Sequence, residues 1–385
     1  MIDAPGPWGS GPFTLTEGYS SLENEMAIME ANPLACVWLD TDQPRTDSVV
    51  LEANTDHWNK ERGPRLERVV FRNNVPPDRA LDLVCTTEGE IDIVTEVAPS
   101  DAEKVQRSEH ARLHTVDAMR IVTGMINRFA DDVPLRDANA RRALNIAVDR
   151  GRLVRERFAG YAHALSGLTP HYAGGFSGAE PYPHDPEEAR RLMSEAGWPE
   201  GRALRLAATS DVEPVVNMLA EDFRNALGLE VELTIIPDED LLAAQHALVE
   251  KVMALPFDVL VHAWIDLSSD APPAFIHGSY FAGDGPFRTG PPLPEFEELM
   301  GRFATEIDAE RQGEIAAEID RYVYDEALSV FLVAPQALYA VNRHVNFVGH
   351  AATFELAETE VNEEHWSRRN GQERERQEES KSPGC

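Results

Sequence analysis

Positive charge is what this chain lacks most. Lys and Arg total 35 against 67 Asp and Glu, giving a formal net charge of −32 over 385 residues. An excess this large opposes phosphate backbones and anionic lipid surfaces, so nucleic acid is excluded as a partner on electrostatic grounds. It suits a cationic ligand, although its plainest consequence is solubility or a salt-rich surrounding. Long apolar runs are missing too, and no stretch reaches the roughly 18 residues needed to span a bilayer. The start, Met1-Ile2-Asp3-Ala4-Pro5-Gly6-Pro7, has no basic region and no apolar core of the kind a secretory signal needs. The expectation is a cytoplasmic chain as written, or an extracytoplasmic one whose signal lies outside this sequence. Cysteine is scarce: Cys36, Cys85 and Cys385 show neither metal-ligand spacing nor a disulfide framework. Cys85, inside Leu81-Asp82-Leu83-Val84-Cys85, reads as a buried thiol. Catalytic motifs are absent as well. Gly283-Asp284-Gly285 lacks the third glycine of a dinucleotide fingerprint, and Gly175-Phe176-Ser177-Gly178-Ala179 breaks the nucleophile-elbow pattern at its last position. No enzyme activity, no cofactor and no resident metal is expected.

What is present is a chain that is 43% hydrophobic and long enough for two cores. Strand-like runs alternate with amphipathic helical stretches. Val69-Val70-Phe71 and Ile91-Asp92-Ile93-Val94 read as strands, with helical spacing over 78–88 between them. Ser100 and Glu103 have capping-box spacing. The stretch 137–158 carries Ala140, Ala143, Leu144 and Ala147 on one helical face. Asp185-Pro186 starts another helix and Gly197 stops it. Leu204 to Ala207 and Val231 to Ile235 alternate as strands, with a helix over 214–227 closed by Gly228 between them. A buried strand covers 258–264, one or two helices cover 293–327, and a strand follows at 328–333. This alternation implies an α/β fold with mixed sheets, whose ligand sites form beyond the carboxyl ends of strands or between lobes.

Three stretches, taken in order, resemble the peptide, dipeptide and nickel family of ABC-importer solute-binding proteins. The first is Gly9-Ser10-Gly11-Pro12-Phe13-Thr14-Leu15 with Leu51-Glu52-Ala53-Asn54-Thr55-Asp56-His57-Trp58, running on to Ile91-Asp92-Ile93-Val94. The second is Arg141-Arg142-Ala143-Leu144-Asn145-Ile146-Ala147-Val148-Asp149-Arg150, leading to Tyr182-Pro183-His184-Asp185-Pro186 and Ala196-Gly197-Trp198. The third is Phe257-Asp258-Val259 with Trp264 and Asp266. The resemblance implies a two-lobed, periplasmic-binding-protein-like clamp. Lobe I would comprise residues 1–128 and 336–366, lobe II residues 129–335, and 367–385 a disordered charged tail. Family members are longer, with an N-terminal portion not seen here, so the first lobe is expected to be truncated; residues 22–46 look inserted.

The resemblance also points to ligand contacts. In peptide-binding relatives an aspartate in the loop after the third motif pairs with the ligand's α-ammonium; Asp266 is the favoured equivalent and Asp270 the other, with Trp264 beside them for stacking. Arg288 has the chemistry to hold a ligand carboxylate bidentately, and Tyr19 and Phe13 would line the cleft from lobe I. Against this, capped loops and surface arginines use the same residues without any ligand. His110 and His114 are spaced i, i+4, as on a metal-binding helix, but no carboxylate completes the motif, and a solvated face is the better reading. The expected partners are a peptide or small-molecule ligand and ABC permease subunits, with room for an oligomer through surface left by the missing portion. The competing reading is a cytoplasmic protein that turned the scaffold to an accessory, regulatory or enzymatic task.

Overall fold

The computed structural model describes residues 9–18, 46–173, 179–237, 256–265 and 276–369. The chain divides into two compact units, Met1–Val116 with Ala337–Cys385, and Asp117–Gln336.

The first unit opens with β1 (Phe13–Glu17), β2 (Ser48–Ala53) and β3 (Arg68–Arg72), an antiparallel sheet in that order. Helix α1 (Pro77–Thr86) begins with proline, which supplies a preset φ where no N–H partner exists, and buries Leu81, Leu83, Val84 and Cys85. The Cys85 thiol is free, and burial raises its pKa. After β4 (Ile93–Val94) the capping box expected of Ser100 and Glu103 does not form. Ser100 lies inside a 3-10 turn, Pro99–Asp101, and α2 (Ala102–Gln106) follows without a side-chain cap. Next comes β5 (Ala111–Val116), which carries His114 and has His110 just ahead of it, so the helical spacing of the two histidines marks no helix. His114 packs its ring 5.2 Å from that of Phe347, and burial lowers its pKa.

The chain then enters the second unit through β6 (Arg120–Ile126). Two helices follow where one stretch was read, α3 (Ala138–Ile146) and α4 (Arg150–Phe158). Their separation has a local cause. The Asp149 side chain accepts the Arg152 amide and starts a new helix, as Asp137 does for α3 by accepting the Asn139 amide. Then come β7 (Ala162–Ala164), α5 (Pro186–Glu195, capped by Asp185), β8 (Leu204–Thr209), α6 (Glu213–Leu227, closed by Gly228 at φ +70°), β9 (Val231–Ile236) and β10 (Val259–Ile265). Helices α7 (Gly278–Phe281), α8 (Pro294–Thr305) and α9 (Ala309–Asp325) lead to β11 (Ser329–Pro335). The chain returns to the first unit as β12 (Ala337–Asn342), β13 (Val345–Asn346) and β14 (Glu360–Val361). There β12 sits between β4 and β5, and Tyr339, Val341, Val345, Phe347 and Leu356 form a core that Phe13, Val69 and Phe71 pack against.

The second unit is one six-stranded mixed sheet, ordered β7-β11-β6-β10-β8-β9, with helices on both faces. Val122, Leu206, Val259, Val261 and Leu332 share a core with Leu144, Leu192, Leu219 and Phe223 from α3, α5 and α6. The opposite face places Met125, Leu260, Trp264 and Phe331 with Phe296, Phe303, Ile319 and Val323 from α8 and α9. Each large side chain buried this way contributes roughly 1.5–3 kcal/mol. The first crossing between the units falls after Val116, since β6 pairs on both sides with strands of the second unit.

Candidate functional site

Strand direction selects one edge of the second unit's sheet. β8 runs parallel to both β9 and β10, with Val259 opposite Leu206 and Val261 opposite Ala208, so three carboxyl ends finish together. Helix-flanked sheets bind ligands beyond such ends. β6 is antiparallel to β10 and sets Arg120 opposite Ile265, so the amino end of β6 joins the same edge. Arg120 reaches Asp211, just past β8, across 3.4 Å, and both side chains are nearly half exposed. An exposed pair at that distance contributes little to stability and leaves both groups open to solvent.

Trp264, near the end of β10, is buried. The rings of Tyr280 at 5.5 Å, Phe287 at 6.1 Å and His262 at 6.3 Å meet it edge-to-face. The hydrogen bonds of His262 fix its tautomer. Nδ1 lies 3.1 Å from the Ala263 carbonyl, which only accepts, so Nδ1–H donates. Nε2 therefore carries the lone pair and accepts the Tyr280 hydroxyl at 2.9 Å. Burial lowers the His262 pKa and raises that of Tyr280 well above its ordinary value, in keeping with a neutral pair. His262 is thus an interior prop for Trp264, and Trp264 a rigid foot for the segment that follows it.

The Phe287-Arg288 segment stands on the same cluster. Gly285 is required there, because a Cβ would come within 2.4 Å of the Gly278 carbonyl oxygen. Arg288 donates to the Gly283 carbonyl at 2.7 Å and stacks its guanidinium 5.3 Å above the Phe129 ring. The structure thus joins Trp264 to the segment bearing Arg288, while the Arg288 fork is turned onto its own loop. Asp266, Asp270 and Tyr19 lie outside the described residues. His277 donates through Nε2 to Asp320 at 2.9 Å, both of them buried. His344, His350 and His365 each face a carboxylate, and among the described residues no set of three His, Cys, Asp or Glu is placed to hold a metal.

One cluster was not anticipated. Asp117 Oδ1 accepts from the Gln336 side chain at 2.7 Å and from His163 Nε2 at 2.8 Å. Burial works against the charge of Asp117, but these two donors outweigh it and hold its pKa below the ordinary value. The rings of His171 and Tyr172 pack on His163 at 5.3 and 5.4 Å, and the Tyr172 hydroxyl donates to the Ala118 carbonyl. Burial raises the Tyr172 pKa. No local motif marks these residues; they come from four separated segments, and only the strand register joins them.

Comparison with known proteins places this arrangement in a context. The model of bacterial extracellular solute-binding proteins, family 5 (middle region), matches residues 3–286. The glutathione-binding protein GsiB of Salmonella paratyphi A is 27% identical over 157 residues, which cover 41% of this chain and 30% of that protein. A putative peptide binding protein, AppA from Clostridium difficile, superposes with a TM-score of 0.71 at 16% identity, covering 92% of this chain and 68% of its own. DppA from Helicobacter pylori, solved in complex with peptide STSA, gives a TM-score of 0.66 at 17% identity, with 92% and 63% covered. At these identities the two structures speak for the fold: mixed α/β, of the periplasmic-binding-protein kind. No helix among the described residues is long and apolar enough to cross a membrane.

Proposed function

We propose, for a chain that belongs to family 5 of the bacterial extracellular solute-binding proteins, that it binds a small peptide or peptide-like solute and hands it to ABC permease subunits without chemical conversion. The carrying observation is the likeness to peptide-binding folds over 92% of the chain, with the third motif on β10 at the carboxyl edge of the sheet. In this reading Asp266 pairs with the ligand's ammonium group, with Asp270 as the other candidate. A carboxylate there suits a ligand cation, since charge-assisted hydrogen bonds are the strong ones. Trp264 anchors the start of the loop through its aromatic cage rather than by open stacking. Arg288 secures the 283–289 loop and keeps part of its fork for a ligand carboxylate, and Tyr19 is the remaining candidate ligand contact. The lobes are proposed to follow the two units, Met1–Val116 with the chain from Ala337 onward, and Asp117–Gln336.

The test is a thermal-shift screen of the purified chain against dipeptides, tripeptides, glutathione and nickel chelates, with Asp266→Ala and Asp270→Ala alongside. A ligand at 100 times its dissociation constant adds about 2.7 kcal/mol to the folded state. A shift with a peptide that one of the two variants abolishes is expected. A flat response to every compound would sink the reading.

A further inference from the structure

We propose that Asp117 is a positioning residue that fastens the two chain crossings into one mechanical element. Its functional consequence rests on the solute-binding reading, in which the crossings must bend when ligand is bound. Asp117 and Gln336 are the first and last residues of the second unit, so each stands at a crossing. Their side chains are hydrogen-bonded directly, at 2.7 Å. The register extends away from them on both sides: Val116 is opposite Ala337 between β5 and β12, and Val122 opposite Val333 between β6 and β11. Between these pairs β6 and β11 are not yet joined, and the Asp117–Gln336 contact bridges the gap.

The same carboxylate oxygen takes a second donor, His163 Nε2, from the edge strand β7. β7 is bound to the outgoing crossing as well, through His163 opposite Ala334 and through the Gln336 amide, which donates to the Tyr161 carbonyl at 3.0 Å. The incoming crossing has its own tie, the Tyr172 hydroxyl on the Ala118 carbonyl at 2.6 Å. One oxygen atom therefore links incoming chain, outgoing chain and edge strand. Removing it releases the incoming chain and the Gln336 side chain and leaves the outgoing chain held to β7 by backbone pairing alone, while the β6–β11 ladder, which begins at Val122 and Val333, keeps its register. Bending confined to a coupled pair of strands differs from bending of two independent linkers: the pair moves about one axis, the linkers about many.

The experiment is hydrogen–deuterium exchange on the ligand-free chain, so that it reads independently of any solute. Asp117→Ala is expected to speed exchange of the Gln336 amide and its neighbours by roughly tenfold, the effect of losing charge-assisted hydrogen bonds. Amides of β6 and β10 from Val122 to Met125 and from Val259 to Val261 should keep their protection, which shows that the variant has folded. Asp117→Asn retains an oxygen that accepts both donors and should stay within about twofold of the parent. Asp117→Ala combined with Gln336→Ala should exchange no faster than the Asp117→Ala variant alone, as for two halves of one contact. Unchanged exchange at Gln336 in Asp117→Ala, an Asn variant as fast as the Ala variant, or a further increase in the double variant would each overturn the proposal.

Discussion

Asp258 offers the sharpest test of how the candidate edge is held in place. It precedes β10 and is fully buried. Its carboxylate accepts from Arg202 at 2.9 and 3.1 Å, from the Arg205 side chain at 2.9 Å and from the Arg205 backbone amide at 2.7 Å. Replacing it with Ala strands the Arg205 amide, which costs about 1–3 kcal/mol for an unsatisfied buried donor. The two ion pairs are worth less than buried pairs in general, because Arg202 and Arg205 are 19% and 33% exposed and Arg202 retains Asp132 at 2.9 Å. Discounted for solvent they add about 1 kcal/mol. The sum, about 3 kcal/mol, sits at the lower end of the range for breaking a buried pair. At about 2–4 °C per kcal/mol for a unit of this size, Asp258→Ala should lower the melting midpoint by about 6–12 °C. Asp258→Asn keeps an acceptor for the amide and should lose about half as much. A drop of less than about 2 °C in the Ala variant would show that the network contributes little and that packing alone sets β8 against β10.

Four further outcomes follow from the same contacts. Tyr280→Phe removes the donor to His262 Nε2 without changing volume and should cost about 1–3 kcal/mol in urea unfolding. Gly285→Ala drives a Cβ into backbone oxygens of α7 and should cost about 1–3 kcal/mol or more, read by the same assay, with loosened exchange over 283–289. Asp92→Ala removes the acceptor shared by Asn342, His365 and Trp366, and limited proteolysis should then cut ahead of Trp366 while the second unit stays intact. His262 gives a pH dependence with a definite sign. Burial depresses its folded-state pKa, so both states are neutral well above about pH 6.5, while below that the unfolded chain takes up the proton first and stability falls with acidification. His262→Gln should flatten this fall between about pH 6.5 and 5, and an identical pH profile would remove His262 as its source.

Much of the second unit was legible because its punctuation is local. Asp185 with Pro186 starts α5 and Gly197 stops it; Gly228 closes α6 in the left-handed conformation it alone tolerates cheaply. β9 and β10 carry alternating or continuous apolar residues that a strand in a covered sheet requires. The errors are local too. Ser100 and Glu103 have the spacing of a capping box, but proline at 99 began a tighter turn one residue before Ser100. His110 and His114 have helical spacing, but His114 lies on β5 and His110 just ahead of it, so the spacing marks no helix face. The candidate edge was legible only in its β10 part. Arg120 beside Ile265, and Asp117 with His163 and Gln336, are products of strand order, which no short stretch of residues encodes.

The interior arginines make the same point from the side of energetics. Within Arg141-Arg142-Ala143-Leu144-Asn145 and at Arg150, two of the cations, Arg141 and Arg150, are buried. Among the described residues no carboxylate pairs with Arg150. It donates instead to the carbonyls of Phe331, Asn145 and Tyr182 and to the Asn145 side-chain oxygen. Burial pulls its pKa to about 10, which leaves it charged at neutral pH. A guanidinium tolerates such a place because its planar fork satisfies several carbonyls at once and its charge is weakly hydrated to begin with. Asn145 completes the arrangement: its side-chain oxygen accepts the Phe331 amide while its side-chain amide donates to the Ser329 carbonyl. Helices α3 and α4 are thereby tied to β11, the strand that leads out to Gln336. The motif that carries the family resemblance thus acts as a polar lock between helix and sheet, and the strand it locks is the one that ends at the Asp117 contact.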